Sequence, residues 1–131
     1  MKMEKNKSPR ACIVVTETPS PPFMDLLGSF QIVPEIFLSS DKALVRQKQR
    51  PFDILIVQDD PAEGQGLKLI EEFLKTNWMT STIIICDQDE ATIHDRAEGL
   101  GILGHVRQLD DLQSFENLFR KFKQISPMFG D

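Results

Sequence analysis

The stretch "DILIVQDDPAEGQG", residues 53–66, decides the fold of this 131-residue chain. Its apolar run, Ile54 to Val57, is short, rich in β-branched residues and free of polar alternation. Such a run is typical of a central strand that is covered on both faces, as in a parallel sheet. The run ends in an acidic, glycine-containing loop, which places the polar side chains from Gln58 onward at the carboxyl edge of the predicted sheet.

Composition limits the functional classes. Fifteen Lys and Arg residues against twenty Asp and Glu residues give a net charge of -5, which argues against a nucleic-acid or anionic-membrane surface. No apolar run approaches the length of a membrane span. Cys12 and Cys86 lie in apolar runs without the spacing of a metal or redox site. These features predict one soluble domain in a reducing cytoplasm.

Outward from the opening stretch, strand and helix patterns alternate five times. The other strand-like runs are residues 12–15, 31–38, 82–86 and 104–107. Pro34 cannot donate to a ladder, so the second run is predicted to be an edge strand or to bulge there. Helical signals occur in the four intervals and after the last strand, with Ser40 or Asp41 as a predicted cap and Gly99 or Gly101 as a predicted stop.

The last helix has the strongest pattern. Its apolar residues fall within an arc of roughly 140° at about 100° per residue, which predicts a core face. The residues on this arc are Leu112, Phe115, Leu118, Phe119, Phe122 and Ile125.

The alternation predicts an α/β fold: a three-layer α/β/α sandwich around a five-stranded parallel sheet. We expect a flexible basic tail over residues 1–10, the folded domain over residues 11–125, and a C-terminal tail or the start of a linker over residues 126–131. In such folds, ligands bind beyond the carboxyl ends of the strands. Candidate functional residues therefore follow the strands: Thr16, Glu17, Gln58, Asp59, Asp60, Cys86, Asp87, Arg107 and Gln108.

From about Ala11 to Ile125 the chain resembles the receiver domain of two-component response regulators. Gly66 falls eight residues after Gln58, where that family commonly has a glycine after its phosphoacceptor, and Gly101 and Gly104 match glycines before the fifth strand. The resemblance implies a flavodoxin-like receiver topology. It also implies a phosphorylation switch, in which acids bind Mg²⁺, an Asp that ends the third strand takes phosphate from a histidine kinase, and a hydroxyl and a Lys sense it.

The working positions of that switch are altered in "VVTE", "DILIVQ", "IIICD" and "HVRQLD". Thr16 and Glu17 stand where the resemblance expects paired acids, and Gln58 stands at the phosphoacceptor. Cys86 replaces the switch hydroxyl and Gln108 replaces the lysine. An amide is not a carboxylate nucleophile, and the remaining oxygens are a poor set for Mg²⁺.

The resulting hypothesis is a degenerate receiver domain, not an enzyme, that acts as a phosphorylation-independent interaction module without a cofactor. Its implied partner is a histidine kinase or an output domain, and a homodimer is compatible with the resemblance. Two alternatives stay open: a working phosphoacceptor at Asp59 or Asp60 with Mg²⁺ held weakly by Glu17 and Asp59, and a small α/β enzyme or nucleotide binder. The resemblance implies a partner face on the fourth helix, fifth strand and fifth helix, with these candidate outward groups: His94, Glu98, His105 and Arg107.

Overall fold

A computed structural model describes residues 8–60 and 64–126. The predicted alternation is confirmed, with five strands and five helices in this part of the chain. The strands are β1 (Arg10–Val14), β2 (Val33–Phe37), β3 (Ile54–Gln58), β4 (Ser81–Ile85) and β5 (Gly104–Val106). The helices are α1 (Pro21–Ser29), α2 (Ser40–Gln49), α3 (Gln65–Thr76), α4 (Glu90–Arg96) and α5 (Leu112–Ile125).

The strands form one parallel sheet in the order β2-β1-β3-β4-β5. The order reverses between β1 and β3, so the topological switch point lies beside Thr16 and Gln58. Successive side chains of β3 alternate between two cores: Ile54 and Ile56 pack with α1 and α5, whereas Leu55 and Val57 pack with α2, α3 and α4. The fold is thus the predicted three-layer sandwich with flavodoxin-like topology.

Pro34 lies in β2 without a bulge because β2 is an edge strand. In a parallel pair, one residue turns both its N–H and its C=O toward the same neighbour. Val33 donates to the carbonyl of Pro9 at 2.9 Å and the carbonyl of Phe37 accepts from Val15 at 3.1 Å, so both residues face β1. Pro34, between them, faces the open edge, where its missing N–H costs no ladder bond.

The first strand, β1, begins slightly earlier in the sequence than expected. Arg10, expected in the tail, opens β1; its N–H donates to Asp53 at 2.8 Å, and Pro9 beside it is buried. The side chain of Ser39, one residue before the expected cap, accepts from the N–H of Lys42 and caps α2. Residues 1–7 and 127–131, most of the two predicted tails, lie outside the described residues.

Ile125 and Trp78 are two large apolar side chains that the structure leaves exposed. Phe115, Phe119 and Phe122 are buried as predicted, but Ile125 at the end of α5 is 56% exposed, so its assignment to the core face was wrong. Trp78, which follows α3, is 79% exposed. A hydrophobic period tells which way a side chain points, and the tertiary structure decides whether another element covers it.

None of the helices in the described ranges is long and apolar enough to cross a membrane.

Candidate functional site

The ends of β1 and β3 are joined by a side-chain amide. The Oε1 atom of Gln58 accepts from the Thr16 N–H at 3.0 Å and from the Thr16 hydroxyl at 3.1 Å. These are the two positions where the resemblance expects a phosphoacceptor and an acid. The amide oxygen of Gln58 is therefore occupied by hydrogen bonds within the domain.

Asp59 faces the other side of the sheet. The register of β3 with β4 is regular through Gln58, and the Asp59 N–H donates to the Ile85 carbonyl at 2.8 Å. With period-two alternation, Asp59 then points toward the α3 and α4 layer. Its carboxylate is completely buried.

Two groups compensate the buried charge of Asp59. Oδ1 accepts from the N–H of Gly66 in the first turn of α3 at 2.7 Å, and Oδ2 accepts from Nη2 of Arg96 on α4 at 2.9 Å. An anion at a helix amino terminus is favourable, and a buried carboxylate needs such a cation. We call the contact between Asp59 and Arg96 the Asp59–Arg96 tether.

Gly66 has a steric role in the same contact. A Cβ at position 66 would lie 2.6 Å from the Cβ and 2.7 Å from Oδ1 of Asp59. The backbone of α3 can approach the carboxylate this closely only because residue 66 has no side chain. This gives a local reason for the glycine that the resemblance had matched by spacing.

Arg96 extends the network to Cys86. Its Nη1 donates to Oε1 of Gln88 at 2.7 Å and lies 3.7 Å from Sγ of Cys86. Burial would lower the pKa of Arg96, but the hydrogen bond to Asp59 and its charge raise it, so the guanidinium stays charged. Burial raises the pKa of the Cys86 thiol despite the opposing effect of Arg96, which makes this cysteine a poor nucleophile.

A cleft of about 950 Å³ opens at the same edge, between the starts of α2 and α3. Its lining includes side chains of both signs and several hydroxyls. The polar members are Thr16, Ser39, Ser40, Asp41, Gln58, Asp59, Asp60, Gln65, Lys68 and Glu72. Asp60 is exposed there, while Asp59 contributes to the wall with its carboxylate already bonded.

The proposed weak Mg²⁺ ligands do not form a shared site. Glu17 is exposed and is not part of the cleft lining, whereas Asp59 is bound to Arg96. Over residues 8–60 and 64–126 no group of three or more His, Cys, Asp or Glu side chains is arranged to hold a metal. The donor set does not fit an ion that requires several oxygens in near-octahedral order.

The expected partner face is only partly outward. His94 and Glu98 are exposed on and just after α4, and exposed Arg107 pairs with Asp87 at 3.0 Å. His105 is half-buried, and its Nε2 lies 2.7 Å from the carbonyl oxygen of Cys86. A carbonyl oxygen only accepts hydrogen bonds, so Nε2 carries the proton. The His105 side chain is therefore bonded to the end of the neighbouring strand and does not point outward as expected. Gln108 is exposed beyond β5.

Sequence reasoning did not identify Arg96 or Gln88. One signal was present: Arg96 follows the buried Ile93 by three residues, which places both on the same side of α4. Its partner Asp59 is 37 residues away, and no local pattern gives that distance.

No protein-family model matches the sequence, and a comparison with curated proteins finds no significant relative. Solved structures are similar in fold. The receiver domain of NtrC4 from Aquifex aeolicus superposes with a TM-score of 0.71 at 14% identity, covering 88% of this chain and 97% of that one. A two-component response regulator from Clostridium difficile gives 0.70 at 11%, covering 89% and 97%.

A pilus assembly-related protein from Burkholderia pseudomallei gives a TM-score of 0.68 at 10% identity, covering 93% of this chain and 92% of that one. These likenesses show that the chain has the receiver fold, as the sequence resemblance implied. At such identities they show the fold alone, and function has to be argued from the site.

Proposed function

We propose that this chain is a degenerate receiver domain of two-component or phosphorelay signalling that works as a protein-interaction module without being phosphorylated. The proposal rests chiefly on the residue at the expected phosphoacceptor position, which is Gln58. Gln58 lacks a carboxylate, and its amide oxygen is bonded twice to Thr16. An amide at this place cannot form the acyl phosphate that the switch requires.

The neighbouring carboxylate supports the same proposal. Asp59 is fully buried and bonded on both oxygens, to Gly66 and to Arg96. Phosphorylation there would have to break a buried ion pair and expose the carboxylate to a donor. Removing one partner of such a pair costs several kcal/mol, about 3–5.

The receiver fold supports, by analogy, a proposal for the class of partner. We infer a cytoplasmic histidine kinase or output domain as the partner, docked on α4, β5 and α5. This face offers the exposed side chains of His94, Glu98 and Arg107. Both signs of charge are present, so the recognition is by paired charges around the end of the sheet, not by a basic or acidic surface as a whole.

The position of Asp60 supports a second candidate function. This residue is exposed and lines the cleft beside Gln58, so it is the carboxylate that a small phosphodonor would reach. In this alternative the chain is a working phosphoacceptor with a displaced acceptor residue.

The first experiment is intact mass after incubation with acetyl phosphate and Mg²⁺, with Asp59→Asn, Asp60→Asn and Asp87→Asn compared with the parent. Asp87 is an exposed carboxylate at the same edge and serves as the control. No added phosphoryl group in the folded parent supports the module. A single addition that only Asp60→Asn abolishes establishes the second candidate and overturns the first.

The second experiment measures docking directly. Purified kinase and output domains of two-component pathways from the source organism are titrated with the chain, with and without acetyl phosphate. We expect the same affinity in both conditions and a loss of about tenfold or more in Glu98→Arg or Arg107→Glu if these are interface charges. Glu71→Arg, an exposed change on α3, is the matched control. Affinity that requires the phosphodonor contradicts the proposal.

A further inference from the structure

α4 is held to the domain differently from the other four helices. It is seven residues long and buries one residue, Ile93, whereas each other helix buries at least two. Short helices are marginal without tertiary packing. The position of α4 therefore depends more than that of its neighbours on contacts other than apolar packing.

The Asp59–Arg96 tether supplies such a contact at the last residue of α4. The Asp59 side chain is completely buried and that of Arg96 is 22% exposed, with 2.9 Å between Oδ2 and Nη2. The second nitrogen of Arg96, Nη1, is bound to Gln88, which precedes α4. One guanidinium thus fixes both the end of α4 and the loop that leads into it.

The other end of the tether is equally fixed. Asp59 continues the β3 ladder through its N–H and accepts from the first turn of α3 through Gly66. The carboxylate is therefore a junction of three elements: the end of β3, the start of α3 and the end of α4. Charge-assisted hydrogen bonds in buried surroundings are among the stronger polar contacts.

We propose that the Asp59–Arg96 tether is a built-in conformational lock, which holds α4 in one position without any phosphoryl group. α4 carries His94 and is followed by Glu98, so the lock fixes this part of the proposed docking face in a permanently presented form. Only the claim that the lock presents a docking face rests on the proposed function. The positioning of α4 itself is independent of a partner.

The test is residue-resolved amide hydrogen exchange on Asp59→Asn, Arg96→Gln and the double variant. The reporters are the N–H groups of Ile93 and Ala97, which donate to the backbone carbonyls of Asp89 and Ile93 at the two ends of α4. Phe119 in α5 serves as a reference. We expect exchange at Ile93 and Ala97 to become about tenfold faster in Asp59→Asn while Phe119 is unchanged, because local opening is separable from global unfolding.

The double variant sharpens the result. If the two residues act through one contact, the effects of Asp59→Asn and Arg96→Gln on exchange are less than additive in the double variant, whereas independent residues give additive effects. Arg96→Gln alone leaves a buried, unpaired carboxylate. Should it fail to fold, Asp59→Asn and the double variant carry the test. Asp87→Asn, which removes the exposed pair with Arg107, is the control for charge loss at this edge.

Two results would overturn the lock: unchanged exchange at Ile93 and Ala97 in a folded Asp59→Asn variant, or faster exchange of equal size in α4 and α5. The outcome is separable from the proposed function. If no partner binds any variant while α4 exchange responds as expected, the lock stands and the docking proposal fails. If a partner binds parent and Asp59→Asn equally and α4 exchange is unchanged, docking stands and the lock fails.

Discussion

The side-chain oxygen of Gln58 accepts two hydrogen bonds from Thr16, one from the backbone at 3.0 Å and one from the hydroxyl at 3.1 Å. The contact joins the carboxyl ends of β1 and β3 at the topological switch point of the sheet. In a working receiver the resemblance expects an acid and a phosphoacceptor at these two positions. The fold is preserved here with a neutral pair joined by two hydrogen bonds.

Restoring the phosphoacceptor alone should not restore phosphorylation. We expect Gln58→Asp to gain no phosphoryl group from acetyl phosphate, because Mg²⁺ needs further carboxylates and the phosphate needs a cation. Thr16→Asp and Gln108→Lys combined with Gln58→Asp should produce a single addition in intact-mass spectra. Equal labelling of Gln58→Asp and the triple variant would show that the other two positions do not limit the chemistry.

Gly66→Ala should destabilise the domain because its Cβ would lie 2.6 Å from the Cβ of Asp59. Overpacking of this kind costs about 1–3 kcal/mol. Gly28 is the matched control, since a Cβ there meets nothing within 4 Å, and Gly28→Ala in α1 should stabilise by about 0.5–1 kcal/mol. Urea denaturation of both variants measures the difference, and equal effects at the two sites would contradict the steric reading of Gly66.

The buried amide of Gln47 should be a major structural contact. Its Oε1 accepts from the Phe52 N–H at 2.7 Å, and its Nε2 donates to the Thr80 hydroxyl at 3.2 Å and the Phe73 carbonyl at 3.4 Å. Gln47→Leu leaves the Phe52 N–H without its acceptor, at a cost of about 1–3 kcal/mol. Exposed Gln49→Leu on the same helix is the control, and denaturation midpoints that coincide would refute the role.

Glu35 should make stability depend on acid pH. Burial would raise the pKa of Glu35, but hydrogen bonds from Arg10 and Arg46 lower it below its ordinary value. A carboxyl group with a lowered folded pKa contributes stability that is present above its unfolded pKa, about 4.3, and is lost as pH falls through the folded value.

Glu35→Gln should therefore be less stable than the parent at pH 7, by about 1 kcal/mol for a partly exposed ion pair. The difference should shrink as pH falls below the ordinary Glu range. Urea unfolding of both proteins at pH 7 and in the acid range checks this. A difference that is constant across this range would mean that the charge of Glu35 is not what the contact uses.

Most of the strands and helices could be predicted from the sequence because they depend on local patterns of apolar residues. Apolar β-branched runs gave the central strands, and the helical period of Phe115, Phe119 and Phe122 gave the core face of α5. Pro34 predicted either an edge strand or a bulge, since proline can occupy a sheet only where its missing N–H is not needed, and the structure has the edge strand. Gln58 at the end of β3 already placed an amide where the resemblance expects the nucleophile.

Tertiary structure alone decided the rest. Whether Ile125 and Trp78 are covered depends on neighbouring elements, and both are exposed. The partner of Asp59 lies 37 residues along the chain, beyond α3 and β4 and at the last residue of α4. That pairing follows from β3 lying next to β4 and α4 following β4, a spatial order that the period of hydrophobic residues does not encode. Local periodicity determined the elements of this protein, and their packing determined which of its charges meet.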